Sequence, residues 1–438
     1  MSAIETVEKD STPSNNSSRP PFKYLIVIEP LGFLYGSAGK FLSPENLVGR
    51  SGSSFPPSAA ALSGLFAAYY KGDEKYLKNL QLAGPFWAWS ENPQNFYVPT
   101  PFHCLIKSRM TKRSPFNRLV KHGTVTQQLK WQNSQEQNKN KESPGYWLPS
   151  VSGKFDKGSW VAIQDWKLIQ FALPSPPVEI AVEFSPWEYT PHLHPRLKED
   201  ERRVNEDLER GSLFLENAVQ LNPDACLVYL SNTELKDDWY RFGGEGHMVD
   251  VRCHDLSQNI QDLLNQPVGK SFALITPAVW GSNRLSKREP VFLEKGNKQK
   301  YEQENPESNE KKVWSLEALI TERPIPFRYR LGNHHNHQTD DSQSISNEHN
   351  QRKEAPKLLS RGRYAVPAGT VYIVEESIEK SWQEWDDKWF PQEGPSLKRW
   401  GCGLALPLPS AFACSLLPCS CSIPYSSETT SENLSGVI

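Results

Sequence analysis

Proline recurs so often along this chain that long helices have little room to form. The 438 residues include 35 prolines, about 8% against a usual value near 5%. Each one inside a helix removes a backbone donor and clashes with the preceding turn. All-helical folds and coiled coils are therefore excluded, and a chain of this length is expected to contain two or three domains. The apolar fraction is low, at 37%, but the 14 Trp, 15 Tyr and 19 Phe exclude a disordered polymer. They predict an aromatic-rich core diluted by polar insertions.

Charge narrows the function. Lys and Arg number 49 against 51 Asp and Glu, a formal net charge of −2. A tail-driven polycation is excluded, and nucleic-acid binding would require basic residues to cluster locally. The seven cysteines are scattered except for Cys414, Cys419 and Cys421. They imply no disulfide framework and suit a reducing cytoplasm. The N-terminus has no apolar signal region. The uncharged stretch 404–425 carries Pro407, Pro409, Pro418 and Pro424, which argues against a spanning helix. A cytoplasmic protein without membrane association is expected.

Along the chain, residues 1–20 read as a disordered arm. The run FKYLIVIE (22–29), bounded by prolines, predicts a buried strand. Pro56-Pro57-Ser58 opens a predicted helix over 58–71, with Ser58 as N-cap and Leu62, Leu65, Phe66 and Tyr69 on one face. Two strands are expected within 84–106, joined by a turn at Asn92-Pro93. GSLFLENAVQL (211–221) and ACLVYLS (225–231) flank Asn222-Pro223-Asp224 and predict a β-hairpin. A short helix is expected near 233–240, then strands at 247–256, 271–276 and 366–375. The three prolines within 174–180 suggest a hinge. Short strands with few helices give an α+β class, and two ferredoxin-like halves fit the length. The expected division is 21–180 and 181–410. Polar insertions lie near 295–311 and 332–357, and a loose tail occupies 411–438.

Three segments could grip RNA. GGEG (243–246) lies between the expected helix and a strand. It is neither a dinucleotide fingerprint nor a Walker A loop. Its glycines could present N–H groups to phosphates beside Arg241 and His247, or could simply be a tight turn. WGCG (400–403) follows Lys398 and Arg399 and offers charge beside a stacking ring, or is an ordinary strand entry. The run 107–130 holds Lys107, Arg109, Lys112, Arg113, Arg118, Lys121 and Lys130 with no acid. It is either an electrostatic footprint or a solvated loop.

Metal ligation has weak support. His192 and His194, the insertion histidines His334, His335 and His337, and the late cysteines lack partners at ligand spacing. No hydrolase signature is present. His103, His122 and His247 are the available acid–base groups, and nothing in their spacing selects one. No cofactor is expected.

Taken in order, several segments resemble a known family. They are YLIVIEPLGFLYGSAGKF with GRSGSSFPPSAAALSGLFAAYY (24–70), LAGPFWAWSENPQNFYVPTPFHCL (82–105), and LERGSLFLENAVQL running into FGGEGHMVDV (208–251). LITPAVW (274–280) and RYAVPAGTVYIVE (363–375) with WGCGLALPLP (400–409) complete the set. The chain resembles the third-subunit family of the Cmr complex, a RAMP-superfamily component of the type III-B CRISPR effector. One departure concerns the first loop. Family members carry an arginine-bearing F-R-x-x-R-P-F stretch there, and FLYGSAGKF keeps only Gly39, Lys40 and Phe41. Lys40 and Arg50 are the available substitutes.

The resemblance implies two ferredoxin-like RAMP domains and a non-catalytic role. It implies a subunit that holds the 5′ tag of the crRNA, docks on the large polymerase-like subunit and contacts backbone RAMP subunits in antiviral defence. The proposed RNA contacts are Lys40, Arg50, Arg241, Gly243, Gly244, Gly246, His247, Arg399, Gly401 and Gly403. Two other readings stay open: a RAMP endoribonuclease that processes precursor crRNA, and a protein-only scaffold.

Overall fold

A computed structural model describes residues 19–35, 55–113, 118–132, 145–148, 150, 153–170, 179–195, 198, 203–204, 213–243, 246–280, 286–293, 310–329, 360–392 and 395–408. The expected tail, the 332–357 insertion and most of the N-terminal arm and of the 295–311 insertion lie outside them.

The strands β1 (Tyr24–Pro30) and β2 (Leu34–Tyr35) precede the helices α1 (Ala59–Tyr69) and α2 (Glu74–Leu77). Next come β3 (Leu82–Trp89), β4 (Tyr97–Pro99), β5 (Cys104–Arg113), β6 (Arg118–Gln128), β7 (Lys130–Gln132) and β8 (Tyr146–Leu148). After β9 (Ser159–Ala162) and α3 (Trp166–Gln170) run β10 (Ile180–Phe184), β11 (Trp187–Pro195), β12 (Leu213–Leu221) and β13 (Ala225–Ser231). Then follow β14 (Asp238–Phe242), β15 (His247–Asp255), α4 (Gln258–Leu264) and β16 (Gly269–Leu274). The C-terminal part holds β17 (Val291–Leu293), β18 (Glu310–Lys312), β19 (Leu316–Ile320), β20 (Ile325–Phe327), β21 (Arg363–Ala365), β22 (Val371–Ile378) and β23 (Ala405–Pro407).

Ten strands form one antiparallel sheet in the order β14-β15-β1-β13-β3-β4-β9-β10-β6-β5. A three-stranded sheet, β11-β12-β2, and a four-stranded sheet, β19-β22-β16-β23, accompany it. β1 shows why both faces of the large sheet are covered. Side chains alternate between faces at a period of two. Leu25 and Val27 enter a core shared with Phe272, Tyr372 and Leu406 of the four-stranded sheet. Ile26 and Ile28 enter a second core with Leu62, Leu65 and Phe66 of α1. The large sheet is thus the middle layer between α1 and the smaller sheet. β1 is legible because its apolar run is unbroken, as expected for a strand buried on both faces.

Helix α1 begins where the proline pair predicts. Ser58 occupies the N-cap position with extended backbone, but its side chain makes no capping bond. Leu62, Leu65 and Phe66 are buried as expected, and Tyr69 is exposed.

The predicted hairpin over 211–231 does not form. β12 pairs with β11 and β2, whereas β13 pairs with β1 and β3. The turn exists: Asn222 O accepts Ala225 N at 2.9 Å. The two arms then part because every residue of β13 is buried. A strand apolar on both sides needs strand neighbours on both edges and cover on both faces, so it joins the sheet centre. The helix expected near 233–240 is also absent. Asp238–Phe242 is a strand, and Tyr240 and Phe242 pack towards the α1 core. Residue 180, the expected domain boundary, opens β10 inside the ten-stranded sheet. Strands from both sides of that point build this sheet.

Candidate nucleic-acid interface

GGEG is the turn of a β-hairpin. β14 and β15 pair in register with Arg241 opposite Met248 and Phe242 opposite His247. Residues 243–246 therefore close the hairpin, and Gly246 N donates to Gly243 O at 3.3 Å. Both glycines have positive φ, +73° and +70°, a region that side chains other than glycine rarely adopt. A Cβ on Gly243 would meet nothing within 4 Å among the described residues. That position leaves the backbone at Gly243 open to a ligand. Arg241 is exposed beside it.

His247 gains a partner that the sequence did not signal. Tyr35, the last residue of β2, stacks on its ring at 5.1 Å and 30°. The Tyr35 hydroxyl also contacts His192 Nδ1 at 2.9 Å. His247 Nε2 is buried and has no hydrogen-bond partner among the described residues. The segment carrying Lys40 and Arg50 leaves the described chain at Tyr35 and re-enters it at Phe55. Lys40, Arg50 and Gly244 themselves lie outside the described residues. The structure thus brings Arg241, Gly243, Gly246 and His247 together at one hairpin end.

The WGCG segment is different, and its expected phosphate-binding role is corrected. Gly401 N donates to Lys398 O and Gly403 N to Pro277 O, each at 2.9 Å. Both residues are buried. A Cβ on Gly401 would lie 2.5 Å from Ala83 Cα, and one on Gly403 would lie 3.0 Å from Trp280 Cη2. These glycines permit close packing and leave no N–H for a phosphate. Arg399 is half-buried, with Nε donating to Leu80 O at 2.9 Å. Burial, and then the charge of Arg19, lower its pKa. Trp400 packs against both cores. The sequence shows a basic pair beside a ring, and the fold uses that group as a clasp between its N- and C-terminal parts.

Lys398 is 3% exposed. Its Nζ donates to Gln383 O at 2.8 Å and to Trp385 O, and lies 5.3 Å from the Trp382 ring. Burial lowers its pKa to about 8, against the opposing pull of Asp387. Because the unfolded chain holds this proton to higher pH, stability is expected to rise between pH 8 and 10.5. The size should be on the order of 1–3 kcal/mol. Urea midpoints of the wild type and Lys398→Met across that window test this. A parallel pH dependence in both proteins would remove the assignment.

The basic run forms β5 and β6 at one edge of the large sheet. Lys107 and Arg109 are exposed on it. Lys121 Nζ donates to Asp156 Oδ1 at 2.7 Å, and His122 Nδ1 lies 2.7 Å from Glu183 Oε2. His103 is buried, which lowers its pKa to about 4. No helix among the described residues is long and apolar enough to cross a membrane.

The model of the family described as CRISPR-associated protein (Cas_Cmr3) matches residues 44–409, and the chain belongs to that family. No curated protein matches the sequence. Among solved structures, a chain of the type III-B Cmr-beta complex bound to cognate target RNA superposes with a TM-score of 0.37. Its identity is 10%, over 80% of this chain and 86% of that one. A chain of the Csm1-Csm4 cassette in complex with pppApA gives 0.27 at 9% identity, over 81% and 88%. A chain of the type III-A Csm3-Csm4 subcomplex gives 0.29 at 10% identity, over 82% and 97%.

Proposed function

We propose that this chain is a non-catalytic subunit of a type III-B CRISPR effector that holds the 5′ tag of the crRNA. In the same reading it docks on the large polymerase-like subunit and contacts backbone RAMP subunits, in the cytoplasm. Family membership supplies the context. The observation that carries the RNA role is the open glycine turn of β14–β15, flanked by exposed Arg241 and by His247 stacked on Tyr35. Backbone groups at such a turn suit phosphates, and an arginine beside an aromatic pair suits single-stranded RNA. The strand order β15-β1-β13-β3, with α1 linking β1 to β3, supports a ferredoxin-like unit in the N-terminal part. The strand β14 stands where its second helix would be.

The nuclease alternative has less support. His103 sits in the core, and His122 is held by Glu183, so neither reaches substrate readily. Among the three histidines, His247 is the one at the hairpin end.

Arg241→Ala should weaken binding of tag-bearing RNA about tenfold at low salt, and less at high salt, because the contact is electrostatic. Fluorescence anisotropy with labelled RNA reads this out. Unchanged affinity at both salt concentrations would refute the placement of the tag. Metal-free cleavage of repeat RNA that is lost in His247→Ala would favour the nuclease reading instead.

A further inference from the structure

A cavity of about 230 Å³ lies between the basic edge of the large sheet and the base of the β11–β12 ribbon. It is smaller than the ~300 Å³ at which sites for drug-sized ligands begin. Its walls include the rings of Trp89, Phe184 and Trp187. These rings are fixed before any ligand arrives. Trp187 meets Phe55 edge-on at 5.1 Å and Trp160 edge-on at 6.1 Å. Trp89 meets Trp87 at 5.4 Å and 89°, and Trp87 in turn stacks on Tyr97 at 4.2 Å and 7°. Lys121 Nζ lies 4.1 Å above the Phe184 ring.

The polar groups select among ligands. Lys121, the lining cation, is paired with Asp156 at 2.7 Å. Glu183 and Glu188 also line the cavity, so among the described residues its lining carries no surplus positive charge. Gln220 stands opposite Glu188 in the ribbon register, and both are exposed. Asn222 engages its Oδ1 with Asp224 N at 3.0 Å, which leaves its amide N–H groups as donors. Flat aromatic walls with amide donors and acceptors and a carboxylate suit an uncharged, planar heterocycle. Met110 pairs with Lys121 across β5 and β6, so the cavity lies at the edge of these strands, on the face opposite the one that carries Lys107 and Arg109.

We propose that the cavity takes up one nucleobase turned out of single-stranded RNA, with its ribose and phosphate outside the cavity. The aromatic walls stack the base, and Gln220, Asn222 and Glu188 read its edge. The proposal rests on the RNA-binding reading above, but it uses none of that site's residues.

The test uses the full chain and the four uncharged nucleosides, followed by tryptophan fluorescence, together with single-stranded RNA carrying or lacking one abasic position. At least one nucleoside should quench saturably. Trp187→Ala and Gln220→Ala should each weaken this about tenfold or more, and the abasic RNA should lose a comparable factor. Gln220 is exposed, so its variant folds independently of the ring contacts. Absence of quenching, with RNA affinity unchanged in both variants, overturns the proposal. Nucleoside binding combined with indifference to the abasic position also overturns it, in favour of a site for free nucleosides. Protection of Trp187 by a partner subunit in a protein that binds no nucleoside overturns it in favour of a protein contact. If these results are negative while Arg241→Ala still weakens tag binding, the proposed function stands without the cavity.

Discussion

Gly401→Ala is expected to destabilise the protein by about 3 kcal/mol or more, enough to remove most soluble product. Two costs combine. The backbone at Gly401 has φ +72°, and placing an L side chain in this left-handed region costs about 1–2 kcal/mol. The added Cβ would also lie 2.5 Å from both Ala83 Cα and Cβ and 2.9 Å from Leu82 O. These are mostly backbone atoms of a central strand and cannot swing away. Relieving the clash means prising the Lys398–Gly401 turn off β3, at a typical overpacking cost of about 1–3 kcal/mol. Gly243→Ala is the matched control. It has nearly the same φ, +73°, but no described residue within 4 Å of its Cβ position, so only the first cost applies. Urea denaturation of the two variants should separate them by about 2 kcal/mol. Equal midpoints would show that the clasp against β3 is not tight.

Trp280→Ala should cost about 3–5 kcal/mol, the usual range for emptying a large buried aromatic site. Trp280 is 0% exposed. Its ring meets Phe390 at 5.1 Å, Trp314 at 5.8 Å and Trp385 at 6.0 Å. Its Nε1 donates to the Tyr372 hydroxyl at 3.1 Å, and that hydroxyl donates to Arg288 O at 2.6 Å. Trp280→Phe keeps much of the volume but removes the indole donor, and should cost about 1–2 kcal/mol. Near-ultraviolet circular dichroism should show the alanine variant losing the signal of the whole ring cluster, because its neighbours lose a shared wall. An alanine variant with native spectrum and midpoint would mean that these rings pack independently. The same core holds Leu25, Val27, Phe86 and Val228 of the large sheet. Loss of Trp280 should therefore lower one cooperative transition rather than melt the C-terminal part alone.

How far the sequence could be read depended on whether the signal was local. β1 and α1 are legible because an unbroken apolar run and a proline-started amphipathic segment are each complete in themselves. The parting of β12 and β13 is not legible, since a hairpin signal cannot show that one arm will be claimed by distant strands. The glycine segments show the same limit at the site. GGEG and WGCG both demand positive φ. One is open at a hairpin end and the other is wedged against Ala83, and only the packing around them decides which can meet a ligand. Lys398 and Arg399 look like a surface grip but satisfy carbonyls inside the fold. Tyr35 and Trp187 were missed because their importance comes from partners far away in the chain, His247 for one and Trp160 and Phe55 for the other.

The strand order of the large sheet also bears on how the protein is made. β1 pairs with β13 on one side and β15 on the other, with Tyr24 opposite both Ser231 and Asp255. The last of these residues leaves the ribosome roughly 10–50 s after the first, at ordinary elongation rates. Until β13 emerges β1 has neither of its neighbours, and its apolar run is an exposed template for aggregation. Such long-range pairing also makes folding slow. Splitting the gene at codon 180 would leave a first fragment unable to complete its own sheet.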